Sequence, residues 1–178
     1  LNKKEGIWVL EQSYLPSMLS QNAYDTICHE HLEYYALKQI KWILDKSDMK
    51  IIDIELTDTN GGSFVIYCSH IDSIYQVNEK NISNVENYEK NLKLNELEIY
   101  NTFYKNILQS RDDLKKFIKE KKKNNEKIFG IGASTKGNVI LQFCDFSPND
   151  IHSIGEINKE KFGSITPGTN IPIISEKE

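Results

Sequence analysis

From Val85 to Lys123 the chain has neither glycine nor proline, and its apolar residues, among them Leu97, Tyr100, Phe103, Ile107, Leu114 and Ile118, recur at helical spacing. A stretch of that kind folds as one long helix or as two consecutive ones. It separates two regions whose patterns are shorter and richer in strand signals. The expected architecture is therefore α/β: two strand-bearing parts joined by a helical connector at 71–126.

Before the connector, residues 6–11, 50–56 and 63–68 read as strands, and 14–19 and 37–44 as helices. Asp58-Thr59-Asn60-Gly61-Gly62 is a turn, so the second and third strands are expected to form an antiparallel hairpin. After the connector the order is strand 127–131, a glycine-rich turn, helix 134–143, strand 152–156, a loop at 161–169 and a third short strand at 171–174. This is a Rossmann-like βαβ unit. The lysine-rich run 119–127 reads as a solvated helix end, with lysines at the negative end of the dipole; the other reading is an anionic partner.

With 178 residues the chain can bury a sizeable core. No apolar run approaches the ~18 residues of a membrane span. A net charge of −4 argues against a general nucleic-acid coat. Arg111 is the one arginine, so a phosphate site must use lysine or backbone N–H groups. Cys28, Cys68 and Cys144 are odd in number and far apart, with neither a metal spacing nor a disulfide framework. That usage, with no secretory signal, points to a reducing cytoplasm. The chain begins at Leu1 rather than Met, so it is expected to be a piece of a longer protein.

Four constellations carry candidate chemistry. In Cys28-His29-Glu30-His31, followed by Glu33, Tyr34 and Tyr35, two imidazoles and two carboxylates within six positions can abstract and return protons near neutral pH. The residues alone leave that reading level with one in which the polar groups satisfy each other in a core. A shared metal is the weakest of the alternatives, since His29 and His31 point to nearly opposite sides of a helix. In the second, Gly130-Ile131-Gly132-Ala133-Ser134-Thr135-Lys136-Gly137-Asn138 stands between a strand and a helix. There, backbone N–H groups, the helix dipole and Lys136 can hold a phosphate, while Ser134 and Thr135 cap the helix. It has neither the Walker spacing nor GxGxxG, because its last glycine, Gly137, comes two positions late. Glu156 ends the next strand 24 residues after Gly132, close to the offset at which an acid binds a ribose hydroxyl. Asn60-Gly61-Gly62-Ser63 is read as a tight turn before a site of close ligand approach. Thr166-Pro167-Gly168-Thr169 is a Pro-Gly turn that either lines a ligand crevice or is only a turn.

Together, YDTICHEHLEYY (24–35), NGGSF (60–64), GIGASTKGN (130–138) and KFGSITPGTNIPIIS (161–175) resemble the sugar C-methyltransferase family. These enzymes use S-adenosylmethionine to methylate the carbon next to the ketone of a nucleotide-linked keto-deoxysugar. The resemblance implies that residues 1–70 are the end of the methyltransferase domain and 127–178 a truncated Rossmann-like C-terminal domain. It implies that His31 is the base that removes the proton α to the ketone, and that Glu30 contacts the sugar hydroxyl or keto region. Cys28 stands where the family usually has tyrosine, which suggests another sugar or another proton shuttle. Gly132, Ser134, Lys136, Gly137, Asn138, Glu156 and Gly168 are the expected nucleotide-binding residues, and no metal is expected. The family's zinc-binding module and its S-adenosylmethionine loop have no counterpart here. The expected partners are a nucleotide-linked sugar and either missing N-terminal domains or a separate cofactor-binding chain; nucleic acid and membrane are not among them. On this reading the chain alone is inactive. A non-catalytic nucleotide- or nucleotide-sugar-binding module is the alternative, and a dehydrogenase is disfavoured by the glycine spacing.

Overall fold

The computed structural model describes residues 1–178 as two compact units, each a mixed α/β arrangement around its own three-stranded sheet. The first unit comprises Leu1–Ala23 and Glu33–Phe103, and the second Tyr24–Leu32 and Tyr104–Glu178. These units do not coincide with the segments 1–70, 71–126 and 127–178.

In the first unit, β1 (Ile7–Ser13), β2 (Met49–Thr57) and β3 (Ser63–His70) form an antiparallel sheet with β3 in the centre. Alternation along β3 puts Phe64, Ile66 and Cys68 on one face, where all three are fully buried. Ile54 lies beside Ile66 in the register. Onto that face pack α2 (Leu37–Asp45), through Leu37, Ile40 and Leu44, and α3 (Glu79–Leu92), through Ile82 and Val85. The short α1 (Leu15–Gln21) follows β1 and carries Pro16 in its first turn, where a missing N–H costs nothing.

The hairpin between β2 and β3 turns at Asn60, Gly61 and Gly62, all with positive φ. A Cβ on Gly62 would also lie 2.4 Å from the Ser17 Cβ, so the second glycine serves the turn and the approach of α1. The expected turn is present, and its close approach is to the protein's own helix.

The connector is two helices. The helical stretch begins at Glu79, six residues before Val85, because the Asn78 side chain caps α3 by accepting from the Asn81 N–H at 3.3 Å. It breaks at Lys93, which adopts the left-handed conformation (φ 56°). The next helix, α4 (Leu97–Lys123), starts after a turn in which the Tyr100 hydroxyl donates to the Leu94 carbonyl at 2.9 Å. Residues from Tyr104 onward belong to the second unit.

There, β4 (Phe129–Ile131), α5 (Thr135–Phe143) and β5 (Ser153–Glu156) make the expected βαβ crossover, and β6 (Ile173–Ser175) adds a third parallel strand in the order β4-β5-β6. The core joins Ile118 of α4, Leu141 of α5, Ile154 of β5, Ile173 of β6 and Cys144. Gly130 makes room for Ile154: a Cβ there would sit 2.4 Å from the Ile154 Cδ1. No helix is long and apolar enough to cross a membrane.

Candidate active site in the second unit

Of the four constellations, the Asn60–Ser63 turn lies in the first unit, and the other three, Cys28–His31, Gly130–Asn138 with Glu156, and Thr166–Thr169, fall in the second. Segment 24–32 precedes α2 in sequence, yet it packs with α5. Tyr24, in a 3-10 turn (Tyr24–Thr26), packs its ring against Phe143 at a tilt of 56°, with centroids 5.3 Å apart. Its phenol lies beside Cys144 and Ser110, and burial pushes its pKa up. The same burial raises the Cys144 thiol. All three cysteines are free.

From residue 27 to 34 the chain is neither helix nor strand. The His31 N–H donates to the Cys28 carbonyl at 3.1 Å, closing a turn over the four residues from Cys28 to His31. Cys28 and His31 are half-buried, whereas His29 and Glu30 are exposed. No group of three or more His, Cys, Asp or Glu side chains is arranged to hold a metal ion.

The glycine turn sits at the carboxyl end of β4. Gly132 has φ 84°, a conformation strained for any residue with a Cβ. Its N–H donates to the Gly155 carbonyl at 2.7 Å, which anchors the turn to β5. Ser134 is the N-cap of α5: its Oγ accepts from the Gly137 N–H at 3.0 Å, and its carbonyl accepts from Asn138 N–H at 3.0 Å. Gly137 is tight against that cap, since a Cβ there would stand 3.3 Å from Ser134 Oγ. Lys136 lies in the first turn of α5, half-buried. The positive end of the α5 dipole and its leading N–H groups favour an anion here.

The two constellations meet through one bond. Thr135, the first residue of α5, donates from Oγ1 to Glu30 Oε1 at 3.2 Å, across 105 positions of sequence. The Cys28–His31 turn and the glycine turn of α5 are thus neighbours.

Glu156, at the end of β5, is 8% exposed and fully engaged. Its Oε1 accepts from the N–H groups of Ile157 (2.8 Å) and Asn158 (3.0 Å), and its Oε2 from the Ala133 N–H (2.9 Å) and Lys161 Nζ (3.3 Å). The backbone donors of Asn158 and Ile157, then Ala133 and Lys161, bring its pKa down to about 2. A carboxyl depressed on folding stabilises the fold in full above its unfolded value, about 4.3. That contribution is lost as pH falls through about 2. The Ala133 amide proton is therefore expected to shift in NMR with a midpoint near 2. A midpoint at the ordinary carboxylate value would mean that these donors do not hold Glu156 in solution.

Gly168 has φ 76°, and its turn is held to α5 by Gln142, whose Nε2 donates to the Pro167 carbonyl at 2.9 Å. The hydroxyls of Thr166 and Thr169 bond each other at 2.6 Å, and Thr166 Oγ1 also accepts from the Ile171 N–H. This Pro-Gly turn thus packs beside the helix that carries the glycine turn. Sequence reasoning passed over Gln142, and it named Lys161 only as the start of the 161–175 stretch, without a role; both donate to backbone carbonyls of distant residues. A cavity of about 580 Å³ in the first unit, lined by Lys41, Trp42, Lys90 and Tyr100 among others, contains none of the expected site residues.

Residues 58–178 match the family model described as the C-methyltransferase C-terminal domain. Over 174 residues the chain is 25% identical to the C-methyltransferase NovU of Streptomyces niveus, a match covering 98% of this chain and 41% of that relative. The chain thus spans about two fifths of the length of the curated relative it matches.

Proposed function

The chain belongs to the C-methyltransferase C-terminal domain family, and from that premise we propose that it is the substrate-side part of a C-methyltransferase acting beside the ketone of a nucleotide-linked keto-deoxysugar. The observation that carries this reading is the Thr135–Glu30 hydrogen bond, which sets the Cys28–His31 turn next to the glycine turn of α5.

In this mechanism the diphosphate lies at the N-terminus of α5, with Lys136 supplying positive charge. Glu30, held by Thr135, accepts a hydrogen bond from a sugar hydroxyl. His31 takes the proton from the carbon α to the ketone. The C–H electron pair moves into the new carbon–carbon double bond, and the carbonyl π electrons move onto oxygen as an enolate. An imidazole is matched to this task because its pKa lies near the working pH. The enolate oxygen then needs hydrogen-bond donors in a water-poor site. The nucleophilic carbon awaits a methyl donor.

The family resemblance makes that donor S-adenosylmethionine. The residues present do not fit it. Glu156 stands where a ribose-binding acid belongs, and both of its oxygens are filled from the chain itself. The positive end of α5 suits an anion rather than a sulfonium. No step is therefore routed through the donor, whose site belongs to other residues: preceding domains or a separate chain. Cytoplasmic location fits the free cysteines.

Calorimetric titration tests the reading. The chain is expected to bind a nucleoside diphosphate sugar and to give no heat with S-adenosylmethionine. No binding of any nucleoside diphosphate sugar at millimolar concentration would overturn it.

A further inference from the structure

Resting on that reading, we infer that Lys161 is a positioning residue: with Glu156 it fixes the peptide planes of the glycine turn and neutralises the carboxylate beneath the bound diphosphate. The geometry is specific to residue 133. Its N–H donates to Glu156 Oε2 at 2.9 Å, and its carbonyl accepts from Lys161 Nζ at 2.7 Å. Two successive peptide planes, 132–133 and 133–134, are thereby held from outside the turn. In a trans peptide the C=O and N–H point in opposite directions. Pulling the Ala133 carbonyl toward Lys161 therefore aims the Ser134 N–H the other way. Gly132, with φ 84°, supplies the flexibility that makes such a turn possible, and the side-chain pair removes that freedom again.

The second part of the role is charge. Glu156 holds its proton so weakly that it is anionic at any physiological pH. Alone, a carboxylate bonded to the turn would repel a diphosphate bound there. Lys161 Nζ, 3.3 Å from Glu156 Oε2, cancels that charge. Lys161 is supplied by a 3-10 turn (Lys159–Lys161) whose start is capped by the Asn158 side chain, accepting from the Glu160 N–H at 3.0 Å. The ammonium group is thus delivered by a short, locally ordered element five residues beyond Glu156.

The test is calorimetric titration of the 178-residue chain with UDP and with dTDP, on wild type, Lys161→Met, Lys161→Arg and the Glu156→Gln/Lys161→Met double variant. Lys161→Met is expected to weaken binding about tenfold or more, because it frees the turn and leaves an uncompensated carboxylate. Lys161→Arg is expected to stay within about threefold of wild type, since the guanidinium keeps the charge and the donors. In the double variant no uncompensated charge remains, and the single amide oxygen accepts either from the Ala133 N–H or from the Ile157 and Asn158 N–H groups, so part of the lost affinity is expected to return. The Lys161 side chain is 43% exposed, so the fold survives its replacement; unchanged circular dichroism checks this. If wild type binds and Lys161→Met binds equally well, the positioning role is overturned and the functional reading stands. A double variant as weak as Lys161→Met overturns the charge-neutralising role, since removing the carboxylate would then relieve nothing. Wild type binding neither probe overturns the positioning role, and if it also binds no nucleoside diphosphate sugar the functional reading falls with it.

Discussion

His31→Ala is expected to lower methyl transfer by roughly 10²–10⁴-fold, the usual contribution of a positioned general base, when introduced into the full-length enzyme. Binding of the nucleotide sugar is expected to be unchanged, because His31 lies in the Cys28–His31 turn, apart from the α5 turn at which we propose the diphosphate binds. The effect should fall on kcat rather than KM. The step it removes is specific: without a base the α proton has nowhere to go, and the enolate does not form. Deuterium at the α carbon gives a second readout, since wild type should exchange it with solvent without a methyl donor and His31→Ala should not. Retained turnover would take His31 out of the base role.

The second large effect concerns the scaffold. Helix α2 begins at Leu37 after Ala36, which has no side-chain acceptor, so the helix cannot cap itself. Gln39 meets part of the need by accepting from the Ala36 N–H at 3.1 Å. The rest comes from Glu89 of α3, which is 8% exposed. Its Oε1 accepts from the Leu37 N–H at 2.6 Å and from the Tyr14 hydroxyl at 2.9 Å, and its Oε2 from the Lys38 N–H at 3.4 Å. The carboxylate is thus an external cap at the positive end of α2 and the partner of a fully buried phenol. Glu89→Ala leaves that hydroxyl and a helix-start N–H unsatisfied, and is expected to cost the first unit about 3 kcal/mol or more. Glu89→Gln keeps an acceptor and is expected to cost about half as much. Urea unfolding followed by circular dichroism measures both. A loss below about 1 kcal/mol for alanine would mean that the cap is dispensable.

Glu89 also shows where the sequence stopped being legible. The apolar spacing of α2, α3 and α4 and the alternation of β3 were readable, because burial imposes a period on neighbouring residues. A cap supplied by another helix, 52 positions away from Leu37, imposes none. The break at Lys93 was equally silent: a lysine in the left-handed region stands where a glycine would have announced the end of a helix. The candidate site was read as separate pieces, and each piece was recognisable. Their meeting was not, because Tyr24 on Phe143 and Thr135 on Glu30 are tertiary contacts between residues more than a hundred positions apart.

β1 carries a practical consequence. It is an edge strand, and the consecutive residues Ile7, Trp8 and Val9 on it are 42%, 47% and 52% exposed. No proline or lysine interrupts the row of backbone donors and acceptors along its outer side from Ile7 to Ser13. An edge of this kind is a template on which another extended chain can add itself. Self-association at this edge is therefore the expected behaviour at high concentration, and sedimentation of the chain over a concentration series checks it.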